Sequence, residues 1–329
     1  MPPKARSRDM GQMIDGAWVR EERDLTAPSG AFLRPPTRFR DRIALGTRFA
    51  PEPGRYHLYV SLACPWAHRT LIFRRLKGLE PMIGLSVVHW LMGEDGWSFA
   101  PGEGVLPDPV LGARFLHEVY GRADPHYTGR VTVPVLWDCA TGTIVNNESA
   151  EIIRIFNSAF DGAGAAPGDY YPAALRAEID ALNDRIYATL NNGVYRAGFA
   201  RTQAAYEDAV HPLFATLDWL EHRLTDRPFL CGTAVTEADW RLFTTLIRFD
   251  AVYHGHFKCN LRRLVDYPAL WDFTRALYQR PGIAGTVDFG HIKRHYYMSH
   301  TWVNPSGIVP AGPLLDLAAP ASAWRQASG

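Results

Sequence analysis

Cys64 is the residue of this sequence best placed to do chemistry. It stands where Arg55-Tyr56-His57-Leu58-Tyr59-Val60-Ser61 gives way to Ala63-Cys64-Pro65-Trp66-Ala67-His68-Arg69-Thr70-Leu71-Ile72-Phe73-Arg74-Arg75-Leu76. The first run reads as a strand. The second has helical composition, with Pro65 where a first-turn proline is tolerated and Gly78 to end it. A cysteine at such a junction faces unpaired backbone N–H groups and the positive end of the helix dipole. Both favour the thiolate, and thiols in such sites have pKa values lowered to about 3.5–7.5. A dithiol motif would put its second cysteine three residues on, where this chain has Ala67. A mixed disulfide on Cys64 therefore needs an external thiol to resolve it, and glutathione is the abundant one. The competing reading is a small buried residue at a helix start; Cys-Pro directly after a strand favours the nucleophile.

Three further features could serve that thiol. Val133-Pro134 lies within Val131-Thr132-Val133-Pro134-Val135-Leu136-Trp137, which reads as a strand. Proline is disfavoured in a central strand, and a cis bond there would turn the chain and present the Val133 backbone to a peptide ligand. Glu148-Ser149 opens a helix straight after a strand. Ser149 could hold a carboxylate by its N–H and hydroxyl, and Glu148 could pair with an amino group; the γ-glutamyl end of glutathione offers both. Local sequence alone favours plain capping there. Trp97 and Arg130 could clamp a ligand, although singly they read as a core aromatic and a surface charge. Tyr195, Tyr253, Tyr296 and Tyr297 read singly as packing residues. His291, His295 and His300 lack the cysteine or paired carboxylate of a metal site.

The elements that must position these residues follow from the pattern. Ile83 to Trp90 is a second strand, Phe115 to Tyr120 a short helix, and Thr143-Ile144-Val145 a strand after the turn at Thr141-Gly142. A helix runs from Asn146-Asn147 through Phe156. The order β-α-β-(α)-β-β-α is that of an α/β thioredoxin-like domain, expected over 51–162. Residues 1–50, with Pro28, Pro35 and Pro36, read as an extended lead-in, and Asp161 to Pro167 as a linker. Beyond it, 168–329 reads as an all-α domain. Leu175, Ile179, Leu182, Ile186 and Leu190 share one face, as do Leu213, Leu217, Leu220 and Leu224. Thr236-Glu237-Ala238-Asp239 resembles a capping box ahead of a helix from Trp240 to Phe249, and another helix covers Pro268 to Gln279.

Composition narrows the function. The 329 residues are 47% hydrophobic, enough for two domains with a sizeable core. Lys+Arg 35 against Asp+Glu 34 gives a net charge of +1, which offers no electrostatic case for nucleic acid or an anionic membrane. No apolar run reaches the roughly 18–20 residues of a membrane span. The N-terminus, with Lys4, Arg6, Arg8 and then Asp9, Asp15 and Glu21, lacks the apolar stretch of a signal peptide. The cysteines, Cys64, Cys139, Cys231 and Cys259, form no C-x-x-C pair and read as free thiols of a reducing, cytoplasmic compartment.

From about Phe39 to Pro313 the chain resembles the glutathionyl-hydroquinone reductases, the Xi class of the glutathione transferase superfamily. The likeness rests on Tyr56-His57-Leu58-Tyr59 running into Cys64-Pro65-Trp66-Ala67-His68-Arg69, on Ser86-Val87-Val88-His89, and on Gly96-Trp97. Val131 to Asp138, Asn146-Asn147-Glu148-Ser149 and the tail Ile292-Lys293-Arg294-His295-Tyr296-Tyr297 with Ser299-His300 and Asn304-Pro305 extend it. The lead-in Arg34-Pro35-Pro36-Thr37 is less regular than the family pattern. The resemblance implies a glutathione-transferase-like helical domain, glutathione as co-substrate without a tightly bound cofactor or metal, glutathionyl-(hydro)quinones as substrates, and a homodimer. It implies Cys64 as nucleophile; Trp97, Arg130, Val131, Thr132, Val133, Glu148 and Ser149 as the glutathione site; Tyr195 as the residue that moves the proton; and Tyr253 and Tyr296 as supports of the thiolate that line the quinone pocket. A monothiol, glutaredoxin-like disulfide reductase or a transferase with other substrates would share Cys64 and the glutathione site. A non-catalytic binder would keep the fold with an unreactive Cys64.

Overall fold

The computed structural model describes residues 11–20, 26–33 and 36–327. Lys4, Arg6, Arg8, Asp9, Glu21, Arg34 and Pro35 lie outside the described residues. A four-stranded sheet forms from β3 (Tyr56–Val60), β4 (Ile83–Val87), β5 (Val135–Asp138) and β6 (Thr143–Asn146), after a small hairpin of β1 (Gln12–Ile14) and β2 (Ala17–Val19). Its order is β4-β3-β5-β6, with β3 and β4 parallel and the other pairs antiparallel. The central strands β3 and β5 are buried along their whole length. All five residues of β3 are buried. Helices α1 (Pro65–Leu76) and α3 (Ser149–Ser158) pack together, and α2 (Leu116–Ala123) precedes β5.

The second half is helical among its described residues: α4 (Arg176–Ile186), α5 (Gly193–Gly198), α6 (Gln203–Arg223), α7 (Glu237–Arg248), α8 (Pro268–Tyr278), α9 (Phe289–Ser299) and the short α10 (Ala323–Gln326). Wider π turns continue α4 over Tyr187–Asn191 and α7 over Phe249–Tyr253. The expected capping box is present, Asp239 accepting from the backbone N–H and hydroxyl of Thr236 at 2.8 Å each. One buried carboxylate joins the halves. Glu237 of α7 accepts from Arg154 of α3 at 2.8 Å and from Asn183 of α4 at 2.9 Å.

Several boundaries differ from those read in the sequence. The strand expected over 131–137 begins only at Val135, because Pro134 has no N–H for the ladder; the Val133–Pro134 bond is cis. The strand from Ile83 stops at Val87. The lead-in holds the β1–β2 hairpin, whose turn at Asp15-Gly16 has φ of 47° and 77°, the left-handed region Asp-Gly supplies readily. Residues 39–41 then run along β6, with Asn147 and Phe39 exchanging backbone and side-chain hydrogen bonds and Asp41 N–H donating to the Val145 carbonyl. That covers an otherwise open sheet edge. Farther back, Thr202 and Arg201 donate to the carbonyls of Ser29 and Gly30, so the lead-in straps both halves. Helix α9, which carries Tyr296, has no clear apolar stripe in the sequence.

Candidate active site

Cys64 is the N-cap of α1, with extended φ and ψ of −78° and 121°. Its carbonyl accepts the first helical bond from His68 N–H at 2.9 Å. The side chain is half-buried and lies 3.7 Å from the Val133 carbonyl. The helix start and the cis-proline loop therefore meet at the sulfur, as the sequence suggested.

A cleft of about 930 Å³ opens above this junction. Cys64, Trp97, Arg130, Val131, Thr132, Val133, Glu148, Ser149, Tyr195 and Tyr296 all line it. Tyr253 does not: it is fully buried, one layer behind Tyr296. Gln12, Phe32, Leu33, Pro36, Thr37 and Arg38 of the lead-in close the remaining wall.

The polar end of the cleft is built by α3 and the loop before β5. Glu148 is the N-cap of α3 and accepts from Ala150 N–H at 3.2 Å, while its other oxygen takes the Thr37 hydroxyl at 3.4 Å. Glu148 therefore caps the helix itself, where local sequence pointed to Asn147 and Ser149 as the caps, and it also faces the cleft. Ser149, the first residue of α3, accepts from Arg69 at 3.5 Å, which leaves its hydroxyl hydrogen for another acceptor. Arg69 is itself placed by Asn191 at 3.0 Å and by the Trp66 ring, 4.6 Å away. Tyr120 of α2 was not singled out in the sequence. Its buried hydroxyl donates to the Thr132 carbonyl at 2.8 Å and accepts from Thr132 N–H and from Asn147, tying the loop to the entry of α3.

The other end is aromatic. Trp97 stacks on His295 with centroids 4.8 Å apart, and Trp66, Tyr187, Phe199 and His300 add flat surfaces. Tyr195 and Tyr296 share a 2.5 Å hydrogen bond, and Tyr296 meets Tyr253 at 3.1 Å. Burial raises all three pKa values: Tyr253 is pushed up to about 12, and Tyr195 and Tyr296 well above the usual phenol value. Each stays a neutral proton donor near pH 7. Three elements bring them together, α5, the π turn after α7, and α9, which is why no local motif reveals the trio.

His68, four residues after Cys64, invites a role as base. The structure excludes it. Burial, with the nearby Arg248 cation, holds its pKa well below the usual histidine value. Arg248 donates to Nδ1 at 3.0 Å, so the ring proton must sit on Nε2, facing Thr286 Oγ1 at 2.8 Å. Thr286 in turn donates to the Ile283 carbonyl. Among the described residues no three His, Cys, Asp or Glu side chains gather as metal ligands.

A thioredoxin-like sheet with a lone cysteine at its first helix, joined to a helical domain that completes the cleft, is the arrangement of a glutathione transferase. Residues 63–159 match the model of the glutathione S-transferase N-terminal domain, and 203–276 that of the C-terminal domain. The glutathionyl-hydroquinone reductase PcpF of Sphingobium chlorophenolicum is 59% identical over 308 residues, covering 94% of this chain and 98% of that one. The glutathione-bound structure of YqjG, a glutathione transferase homolog from Escherichia coli K-12, superposes with a TM-score of 0.87 at 52% identity, covering 94% and 98% of the two chains. A Xi class transferase from Natrialba magadii gives 0.91 at 48% identity, covering 96% and 98%. The chain belongs to the glutathionyl-hydroquinone reductases, the Xi class of the glutathione transferases.

Proposed function

We propose that the protein reduces glutathionyl-hydroquinones to hydroquinones at the expense of glutathione. The observation that carries this reading is the meeting, in one cleft, of a lone cysteine at a helix start and a network of neutral tyrosines. The Cys64 thiolate attacks the sulfur of the conjugate, forming an S–S bond as the bond from sulfur to the aromatic carbon breaks. That carbon leaves with the electron pair and must take a proton. Tyr195 gives it, and the 2.5 Å hydrogen bond from Tyr296 supports the phenolate that results. Two electrons have passed from two sulfurs to the ring, and Cys64 holds a mixed disulfide with glutathione. A second glutathione thiolate attacks it, releasing oxidised glutathione and the Cys64 thiolate. The absence of a cysteine at position 67 fits this route.

In this reading Glu148 takes the γ-glutamyl amino group and Ser149 its carboxylate. The backbone of Val133 pairs with the peptide, Arg130, Val131 and Thr132 frame it, and Trp97 covers it. Tyr296 borders the ring of the hydroquinone, and Tyr253 acts from behind it. The chain divides into a lead-in over 1–50, a glutathione-binding domain over 51–162 and a helical domain over 168–329. The same reading makes the protein a cytoplasmic homodimer. Its four cysteines are free, in keeping with a reducing compartment, and no helix among the described residues is long and apolar enough to cross a membrane.

Purified protein, glutathione and glutathionyl-menadiol provide the test. Menadiol and oxidised glutathione form with the native chain and not with Cys64→Ala. No turnover by a native chain that binds glutathione would remove this substrate and favour a disulfide reductase.

A further inference from the structure

Arg248, the last residue of α7, is fully buried. An arginine cannot shed its charge in a protein, so burial normally brings a carboxylate with it. Here none is in reach among the described residues. The guanidinium donates to the Leu62 carbonyl at 3.0 Å, the Ala63 carbonyl at 2.9 Å, the Thr244 carbonyl at 2.8 Å and His68 Nδ1 at 3.0 Å. All four acceptors are neutral. Two belong to the residues directly before Cys64, so the fork holds the turn that delivers the thiol. The positive charge is felt by the neighbouring groups, lowering the pKa values of His68, Tyr253 and Tyr296 against the larger upward effect of burial on the tyrosines.

We infer that Arg248 is a positioning residue for the reaction: it fixes the Leu62–Cys64 turn, and its buried charge has the Cys64 thiolate as its counter-ion. The histidines His68 and His295 and the three tyrosines around the thiol carry no positive charge. His68 and His295 are held neutral by burial, as are Tyr195, Tyr253 and Tyr296. Arg69 on α1 is turned to Ser149 and Asn191. Arg130 and Glu148 border the cleft from the loop before β5 and from α3, one of each sign, and His300 lines it after α9. Arg248 reaches the turn that carries the thiol from inside the protein, through the Leu62 and Ala63 carbonyls. The pairing also explains how a charge with only neutral hydrogen-bond partners is tolerated: the conjugate base of the catalytic group completes it.

The inference rests on Cys64 being the working thiol, and its deciding readout, the alkylation of Cys64, does not use the hydroquinone reaction. The rate of Cys64 alkylation by iodoacetamide is followed against pH, with the other cysteines replaced by serine or alanine. Arg248→Met removes the charge and keeps the length; its alkylation midpoint rises by about one pH unit or more, a roughly tenfold slower reaction below the native midpoint. Arg248→Lys keeps the charge and loses the fork; its midpoint stays within about half a unit of the native one, while kcat falls because the turn is less well held. If Arg248→Met does not fold, Arg248→Gln, which can still reach a carbonyl, must show the same rise. A folded neutral variant with the native midpoint, or a lysine variant whose midpoint rises as far as that of the neutral one, overturns the inference.

Discussion

Mild acid should unfold this protein through four buried histidines. His57, on β3, lies 2.8 Å from Ser86 Oγ of β4, and burial lowers its pKa to about 4. Burial likewise lowers His295 to about 4, His256 to about 3, and His68 well below its usual value. All four are less than a tenth exposed. A histidine in the unfolded chain titrates near 6.5, so between that value and the folded pKa the unfolded chain holds a proton that the folded chain rejects. Stability conferred by excluding those protons is complete above about pH 6.5 and is lost as pH falls towards about 4. Going from pH 7 to pH 5 costs about 2 kcal/mol for each of His57, His256 and His295, about 6 kcal/mol for the three, and His68 acts in the same direction. Asp239 opposes them. Burial raises its pKa to about 6, so the folded chain takes up that proton first and regains about 1 kcal/mol over the same interval. The net loss for these groups, about 5 kcal/mol before the share of His68, reaches the range of the whole stability of an ordinary protein. Urea unfolding at pH 7 and pH 5, at fixed ionic strength and with fluorescence and circular dichroism followed together, measures it. A loss under about 2 kcal/mol, less than one histidine's share, would show that these histidines are not held neutral by the fold. The same burial has a functional side: His68 and His295, beside the cleft, stay neutral where the enzyme works, which leaves proton transfer to the tyrosines.

Tyr195→Phe removes the acid proposed above but neither the proposed nucleophile nor the proposed glutathione site. Hydroquinone release should slow by about 100-fold or more, while alkylation of Cys64 proceeds normally; equal turnover in the two forms would reassign the proton to another group. Arg55 and Asp138 form a buried bidentate pair at the base of the sheet, with N–O distances of 2.7 and 2.8 Å, and Asp138 also accepts from Thr141. Arg55→Met leaves that carboxylate buried without its cation and should lower unfolding free energy by about 3 kcal/mol; a change under about 1 kcal/mol in urea titration would show the pair to be dispensable.

What was legible in the sequence is what is local. Cys64 at a strand-to-helix junction, the cis-proline loop and the Asp239 capping box are contiguous, and their chemistry follows from residue order. The strand expected over 131–137 starts four residues too early, since apolar content does not reveal where a proline's missing N–H interrupts the ladder. The Asp-Gly signal at 15–16 was present, yet the strands it joins are only three residues each, too short to stand out as a pattern. The tyrosine network could not be read from spacing, because Tyr195, Tyr253 and Tyr296 come from separate helical segments and meet only when these pack. Arg248 was hidden for a related reason. A cation at the end of an amphipathic helix reads as a residue balancing the dipole, and only burial without a carboxylate marks it as unusual. Tyr120 likewise reads as core until its hydroxyl is seen to serve Thr132 and Asn147.

The central claim is that Cys64 takes the glutathionyl group from the aromatic carbon while an enzyme tyrosine protonates that carbon. Intact-protein mass spectrometry after mixing the enzyme with one equivalent of glutathionyl-menadiol, with no free glutathione, tests it most directly. The expected result is about one equivalent of menadiol and a protein heavier by one glutathionyl group, mapped to Cys64 and removed by added glutathione. Menadiol release without that adduct, or an adduct on another cysteine, would contradict it.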